Sequence, residues 1–391
     1  QPQYNYLGVA FHETRGLAVA ADALAAAGSK AMHALLTRCR KANLTQFDIK
    51  SRMFDVLVEP VLSYASHIWG PLSFKKLRAA PYSTKSEKVH TAFLRIMVGA
   101  SKSTCVDVMY KDLHRIPVMY HWVALAVRWW NKMSAARQGV QPMACCAWVE
   151  DVKLAVAGST ACWSSHILRT MQCLGLLDPG WRQLPLESLL ALSWQEPAVQ
   201  QALGAMFMSR FQGPFHADPR LAPSRGVAMC QYAQWVSPLN PQVDLYTRAA
   251  APPHTRLCLP FARLKNLAQL RIGCAHLEVE QGRKRRPAVP RQDRLCKLCS
   301  VEGAPQERQV AVLARTGLSS NVEDLKHFLL ECPAYDDLRA VCPAFPADVY
   351  TTLSNPGCVA AVMGHSAQAA LANTLFHMKV RRSELLELPW V

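Results

Sequence analysis

The sequence predicts a mainly α-helical protein: a helical bundle, then a variable spacer, a small zinc-binding module and a helical tail. Three observations support this prediction. The first third is rich in alanine and leucine, and its apolar residues recur at helical spacing. Farther along, two pairs of cysteine and histidine residues have the spacing of zinc ligands. Alternation that favours a strand occurs over the short stretch 6–11.

The composition indicates a sizeable core and a polyanionic partner. The chain has 391 residues, 50% of them hydrophobic, which suits two or three domains. The net charge of +16 favours nucleic acid or an acidic membrane surface; a basic surface without a dedicated partner is the alternative. The sequence shows no apolar run of membrane-spanning length and no signal peptide, so we expect RNA or DNA and no membrane. Because it opens at Gln1 directly into strand-like sequence, we expect a fragment of a longer polypeptide.

Local signals place the elements of the first third. Helices are predicted at 17–44, 46–62, 86–98, 104–114 and 117–133. Gly28 is a candidate breaking point in the first helix, Pro60 predicts a kink in the second, and Gly99 suits the C-terminal cap of the third.

The rest of the chain divides by composition. The helical signal weakens after the bundle, with 186–210 as its best helical stretch, and the Pro252-Pro253 pair marks a boundary. A basic, cysteine-bearing segment follows, and the tail includes a helix at 368–386. The predicted divisions are 1–16, 17–135, 136–253, 254–345 and 346–391.

Basic residues are dense in the segment that starts at residue 254. Lysine and arginine that neutralise phosphates give sequence-independent affinity for nucleic acid. The run 283–286 also resembles a nuclear-import signal, so a nuclear location is favoured over a cytoplasmic one. A solvated charge run is the alternative, but its position beside the cysteine and histidine pairs favours nucleic acid. The candidate nucleic-acid-binding residues are Arg271, Arg283, Lys284, Arg285, Arg286, Arg291 and Arg294.

The cysteine and histidine pairs predict one structural zinc ion. Cys296 and Cys299 form a Cys-x2-Cys pair, and His327 and Cys332 form a His-x4-Cys pair on a predicted helix end. Most of the other cysteines are expected to be reduced, buried thiols, and the alternative for these four is the same. The stretch between Cys299 and His327 is long for a zinc knuckle. The substitute ligands considered are Cys342 and, more weakly, Cys274.

The residues around these ligands form a recognisable pattern. It reads LRIGCAHLEVEQGR at 270–283, RLCKLC at 294–299 and VEDLKHFLLECPAY at 322–335, closing with Leu338-Arg339. This pattern resembles the C-terminal cysteine–histidine domain of LINE-type (non-LTR) retrotransposon reverse transcriptases, and HFLLECP is its most specific part. In that family the spacing between the two ligand pairs is usually more compact.

The first third agrees with the same resemblance. Tyr6-Leu-Gly-Val9 is similar to the strand that closes the palm beside the primer. The stretches similar to the thumb are 58–64, 68–70, 90–104 and 108–117. The resemblance covers roughly residues 1–135 and 255–345. It implies the end of a palm at 1–16 and a thumb-like bundle at 17–135.

The resemblance also implies a function. The chain is expected to hold template–primer or target nucleic acid as the non-catalytic C-terminal part of an RNA-directed DNA polymerase. In the family the carboxylates that hold two metal ions lie upstream of the Tyr-Leu-Gly strand, so no catalysis is expected from this chain alone. The missing palm and fingers are then expected partners within a longer parent polypeptide.

One motif resembles a polymerase signature without its context. Tyr335-Asp336-Asp337 lies in the cysteine–histidine block, and we interpret it as a helix start whose aspartates complement the helix dipole. Two other functions stay open at this point. The chain is either a zinc-containing module that binds another protein, or a decayed retroelement product without activity.

Overall fold

The computed structural model describes residues 3–137, 143–212, 232, 236, 253–300, 305–316, 321–345 and 357–387. In these residues the protein is mainly helical, with one two-stranded sheet, which confirms the predicted fold class. Within the same residues, no helix combines the length and apolar character that are needed to span a bilayer.

The chain begins with a β-hairpin. Strands β1 (Gln3–Tyr6) and β2 (Val9–His12) are antiparallel. Leu7 and Gly8 form the turn and both have positive φ, 46° and 79°, as a type I′ turn requires. The single strand predicted at 6–11 is therefore wrong, because alternation of apolar residues does not reveal a two-residue turn. The Tyr64 hydroxyl donates to the Leu7 carbonyl over 2.7 Å and fixes the hairpin to the helices.

The predicted helices of the first third are present, and the second is divided at Val58. Residues 18–136 form α1 (Ala18–Lys41), α2 (Phe47–Leu57), α3 (Glu59–Leu62), α4 (Ser66–Trp69), a 3-10 helix (Gly70–Lys76), α5 (Lys85–Val98), α6 (Val106–Asp112) and α7 (Val118–Ala136). Gly28 does not break α1. A Cβ atom at Gly28 would lie 2.2 Å from Cδ2 of Leu62, so this glycine lets α3 pack closely against α1.

The next segment adds helices to the same core. It contains α8 (Met143–Val156), α9 (Trp163–Cys173), a 3-10 helix (Trp181–Gln183), α10 (Leu186–Leu190) and α11 (Glu196–Gln212). The buried Trp130 ring of α7 lies 5.1 Å from Trp148, 6.0 Å from Trp163 and 5.4 Å from Trp194, centroid to centroid. These helices had only a weak sequence signal because their stability comes from aromatic packing on α7.

The C-terminal part combines short helices with two long ones. Its elements are α12 (Phe261–Arg271), α13 (Glu278–Lys284), α14 (Gln306–Thr316), α15 (Asp336–Ala340), α16 (Gly357–Gly364) and α17 (Gln368–Leu385), three 3-10 helices (Pro253–Arg256, Arg291–Asp293, Pro333–Tyr335) and a π-helical turn (His327–Glu331). The predicted tail helix at 368–386 matches α17. Helix α12 packs against α17, and the side-chain amide of Asn266 donates to the Leu375 carbonyl over 2.8 Å.

A buried ionic group joins the first bundle to the C-terminal part. Asp112 at the end of α6 accepts a hydrogen bond from Nε of Arg271 over 2.8 Å, and Nε2 of His254 lies 3.1 Å from its other oxygen. Burial acts to raise the pKa of Asp112, but the charges of Arg271 and His254 hold it well below its usual range. At a second contact Gln269 donates to the carbonyl of Gly99, the residue that caps α5. The basic segment is thus held at a fixed position on the bundle.

Candidate metal centre and basic cleft

The first ligand pair lies on a tight turn that is fixed to the segment before the second pair. Leu295 and Val322 form an antiparallel β-bridge. Beside it the Cys296 amide donates to the Asn321 carbonyl over 2.9 Å, and the Ser300 amide closes the turn on Cys296 over 2.9 Å. These bonds place both thiols of the Cys-x2-Cys pair on the side of the turn that faces the second pair.

The second ligand pair lies on the π-helical turn. The Cys332 amide donates to the His327 carbonyl over 2.8 Å, an i to i+5 hydrogen bond. In an α-helix, residues five apart do not share a face, whereas this wider turn aligns them. In this chain the π-turn brings both ligand atoms of the His-x4-Cys pair to one point.

The four side chains form one buried group that can hold a metal ion. Their ligand atoms lie within 4.8 Å of one another. Sγ of Cys332 is 3.9 Å from Sγ of both Cys296 and Cys299, and Sγ of Cys299 is 3.2 Å from Nε2 of His327. Zn–S bonds of ~2.3 Å in a tetrahedron place sulfur atoms ~3.8 Å apart, so the spacing suits this ion. The sequence-predicted ligands are brought together.

The members of the group differ in protonation. Hydrogen bonds from Cys296 and Cys332 lower the pKa of the Cys299 thiol well below its usual range. Nδ1 of His327 lies 3.4 Å from the Glu331 carboxylate, which orients the ring with Nε2 toward the sulfur atoms. Burial acts to lower the pKa of His327, but hydrogen bonds with Cys296, Cys299 and Glu331 raise it well above its usual range, and hydrogen bonds with Cys296 and Cys299 raise the pKa of the Cys332 thiol. A bound cation would therefore displace protons from His327 and Cys332 and be held by thiolates and one imidazole.

The long stretch between the ligand pairs is accommodated outside the group. Helix α14 lies within it and contacts the π-turn, with Val312 buried. The bridge between Leu295 and Val322 closes the loop, so its length does not separate the ligands. Of the substitute ligands, Cys342 is buried outside the group, and burial raises the pKa of the Cys274 thiol to about 11.

Two of the predicted phosphate-binding arginines have structural contacts. Arg271 is buried in the ionic pair with Asp112 and also donates to the Met363 carbonyl over 2.8 Å. Arg294 donates to the carbonyls of Val289 and Val279 over 2.8 and 2.7 Å. Both guanidinium groups hold backbone in place, so neither is retained as a phosphate contact.

The other predicted cations lie near the surface. Arg283 pairs with Glu280 at 2.6 Å, Arg285 with Glu278 at 2.8 Å, and Arg291 with Asp324 at 3.1 Å. Lys284 and Arg286 are exposed, and neither has an ion-pair partner among the described residues. The run 283–286 thus contains two paired and two unpaired charges.

A cleft of about 440 Å³ lies beside the metal group and is strongly cationic. Its wall includes Phe328, which directly follows the ligand His327. The charged residues that line the cleft are Lys284, Arg285, Lys297, Lys379, Arg382 and Glu278. Burial and then the charges of Lys379 and Lys284 lower the pKa of His276, another lining residue, as a positive local potential requires.

Three cations of this cleft were missed by the sequence argument. Lys297 lies between the two cysteines of the first pair, and Lys379 and Arg382 belong to α17, where no motif was recognised. Arg382 forms a two-fold hydrogen bond to the buried Glu323, at 2.7 Å for each oxygen. Only the tertiary contact between α17 and the segment beside the metal group brings these charges together. The basic side chains of Lys379 and Arg382, three residues apart on one helix, were a weak sequence signal for a cationic surface.

The Tyr-Asp-Asp motif has structural contacts. Asp336 and Asp337 lie in the first turn of α15, as predicted. Asp336 accepts a hydrogen bond from Arg339 over 2.6 Å, and Asp337 accepts one from Nη2 of Arg381 over 2.8 Å.

Comparison with protein-family models, with curated proteins and with solved structures found no match to this chain.

Proposed function

We propose that this chain is a nucleic-acid-binding, zinc-containing part of a LINE-type reverse transcriptase that holds template–primer or target nucleic acid. The observation that carries the proposal is the cationic cleft beside the Cys3His group. Five lysine and arginine side chains line it; Glu278 pairs with Arg285 and Lys297, and Glu323 pairs with Arg382, which leaves three more cations than carboxylates. An excess of positive charge in a cleft of this size suits the phosphate backbone of a strand.

The metal group supports the cleft on one side. Phe328 lines the cleft, and the π-turn that carries it is held by His327 and Cys332. Lys297 enters the cleft from the turn between Cys296 and Cys299. A bound ion would therefore fix the positions of two cleft-lining residues through their neighbours in sequence. In this proposal zinc has a structural role and contributes to binding indirectly.

Zinc is proposed as the ion because the donor set is three thiols and one imidazole, a common structural set for zinc. Native mass spectrometry at neutral pH measures the mass of the protein before and after a chelator. We expect one zinc ion per chain before chelation and its loss afterwards. A mass that equals that of the polypeptide alone before chelation contradicts the zinc proposal.

Nucleic-acid binding is tested by replacing the charges of 283–286 with glutamine. Fluorescence anisotropy with a labelled single strand and a duplex, at several salt concentrations, gives the affinity and its salt dependence. We expect weaker binding and a salt slope reduced by roughly 2–3 units, since each phosphate contact contributes about 0.7–0.9. Arg283 and Arg285 are already paired with glutamates, so the reduction of the salt slope should be smaller than the value for four full phosphate contacts.

A matched control removes four exposed cations from α1: Lys30, Arg38, Arg40 and Lys41. This variant has the same net charge as the test variant, so it measures the effect of long-range attraction alone. Equal losses in both variants contradict a binding site at 283–286. Absence of binding by the parent protein to every strand and duplex contradicts the proposed function itself and favours a protein partner.

A further inference from the structure

A second cationic cleft lies in the first bundle. Its volume is about 620 Å³, within the usual range for small-molecule sites. It opens between the 3-10 helix at Gly70–Lys76, the residues that follow this helix, and α9. No motif of the sequence analysis falls on this cleft, and the basic cleft beside the metal group shares no lining residue with it.

Three cations line this second cleft without an ion pair to any described residue. Lys75, Arg78 and Arg169 line it, and the described residues supply no salt bridge to any of the three. Among the described residues, the lining of the cleft contains no aspartate or glutamate. Three like charges around one cavity repel each other, and a bound anion would relieve this repulsion. Burial and then the charges of Arg169 and Lys75 lower the pKa of His166, which also lines the cleft.

The cleft also has an apolar wall. Leu72, which is 40% exposed, lines it beside the cations, and Phe74 and Leu77 are almost fully buried beneath the lining. A site with cations on one side and apolar side chains on the other matches a nucleotide, whose phosphate is charged and whose sugar and base have apolar faces. An inorganic anion alone would leave the exposed Leu72 side chain uncovered. The lining therefore favours a ligand larger than phosphate itself.

We propose that this cleft binds the phosphate group of a nucleotide unit, with Lys75, Arg78 and Arg169 as its contacts. The nucleotide is either part of a nucleic-acid strand or free. In its strand form the inference rests on the proposed function and adds a second contact region on the bundle. In its free form it does not depend on that function.

Cys173 is an exposed residue of this cleft and reports on its occupation. The experiment measures the rate of Cys173 alkylation by iodoacetamide, peptide by peptide, in the full chain. Cys146, exposed on α8 and absent from the cleft lining, is the internal reference. The added probes are a short single-stranded oligonucleotide, adenosine monophosphate, and adenosine as the phosphate-free control. We expect several-fold slower alkylation of Cys173 with a phosphate-bearing probe, and no change at Cys146.

Variants separate local from general effects. Lys75, Arg78 and Arg169 are replaced by glutamine together, and the matched control replaces Lys30, Arg38 and Lys41 of α1. Protection of Cys173 should disappear in the first variant and persist in the second. Equal protection by adenosine, or protection that survives the first variant, overturns the inference.

The outcomes also separate this inference from the proposed function. If the oligonucleotide binds by anisotropy and neither phosphate probe protects Cys173, the second cleft is not a phosphate site and the proposed function stands. If no oligonucleotide binds but adenosine monophosphate protects Cys173, the cleft takes a free nucleotide and the proposed function fails. Protection by the oligonucleotide supports the strand form.

Discussion

The first bundle and the segment around the metal group are stabilised in different ways. The bundle has a core of large apolar side chains, with Trp69, Trp122 and Trp130 almost fully buried. The segment from about 290 to 345 has short elements that are held by buried polar groups as well as by buried apolar residues such as Phe328 and Leu329. Arg339 donates to the Leu329 carbonyl over 3.0 Å, and Glu323 is paired with Arg382. A long helix with an aromatic face can fold by burial, whereas short turns need additional fixed contacts.

This difference indicates which region a bound metal ion would stabilise. In the bundle, removing one contact lowers a stability that many apolar contacts share. In the metal segment, four candidate ligands on two turns converge at one point, and the apolar residues beside them, Leu298, Phe328, Leu329 and Leu330, are buried around that point. An ion bound there would add its binding energy to the folding energy of the segment. The two regions should therefore respond to different perturbations.

The largest expected effect is the loss of one metal ligand. Replacing Cys296 with serine removes one thiolate, and a structural zinc site contributes roughly 10 kcal/mol or more to the folding of a small module. We expect amide hydrogen exchange near 290–340 to become fast while α1, α5 and α7 keep their protection. Peptide-resolved exchange followed by mass spectrometry measures both regions in one sample.

Cys342 provides the matched control for this change. It is buried in the same segment but lies outside the group of four. Replacing it with serine buries a hydroxyl, at a cost of about 1–3 kcal/mol, and should leave zinc bound. If both substitutions unfold the segment equally, the thiol of Cys296 has no special role. If the Cys296 variant keeps its protection, the metal does not hold the segment together.

Much of the bundle could be predicted because its signals are local. Thr84 accepts a hydrogen bond from the Glu87 amide over 3.2 Å at the start of α5, and Gly99 ends it with φ of 63°. The residues that form such a cap lie within a few positions of each other in the sequence. The hairpin was missed for the opposite reason, since its turn at Leu7-Gly8 interrupts an apolar pattern that looks continuous.

The residues of the metal group could be predicted from the sequence, but the way in which the fold brings them together could not. The spacing of Cys296 and Cys299 and of His327 and Cys332 named the ligands, although the distance between the pairs argued against them. The β-bridge between Leu295 and Val322 brings the two pairs together despite the long stretch between them. A single β-bridge has no local sequence signal, so it could not be predicted. The same limit explains Arg271, which looked like a phosphate contact. Its partner Asp112 is distant in sequence, so only the folded structure shows that the charge is buried.

A smaller effect is expected from a buried carboxyl in the bundle. Glu87 accepts hydrogen bonds from the Met119 amide over 2.8 Å and the Tyr110 hydroxyl over 3.1 Å, at the start of α7. Burial raises the pKa of Glu87 from 4.5 to about 8. A carboxyl with a raised pKa in the folded state adds stability that is complete below its unfolded pKa. That stability is lost as the pH rises through the folded pKa.

Replacing Glu87 with glutamine should remove this loss. The amide oxygen can accept from Met119, and the Tyr110 hydroxyl can accept from the amide nitrogen while donating to Thr91, 3.3 Å away. Urea unfolding followed by tryptophan fluorescence at pH 5 and pH 8 measures the free energy of both proteins. At about 1.4 kcal/mol per pKa unit, the variant should gain a few kcal/mol relative to the parent between these values.

Comparing the two proteins cancels the titration of the buried histidines, which is common to both. Replacing Glu87 with alanine gives the control, because it removes the titrating group together with its hydrogen bonds. The free energy of unfolding of the alanine variant should also rise relative to that of the parent between pH 5 and pH 8. At both pH values it should be lower than that of the glutamine variant. Parallel curves for the glutamine variant and the parent would show that Glu87 is charged in the folded bundle. The bundle core would then contain a buried carboxylate held by the Met119 amide and the Tyr110 hydroxyl, and the contrast between an apolar bundle and a polar metal segment would be weaker.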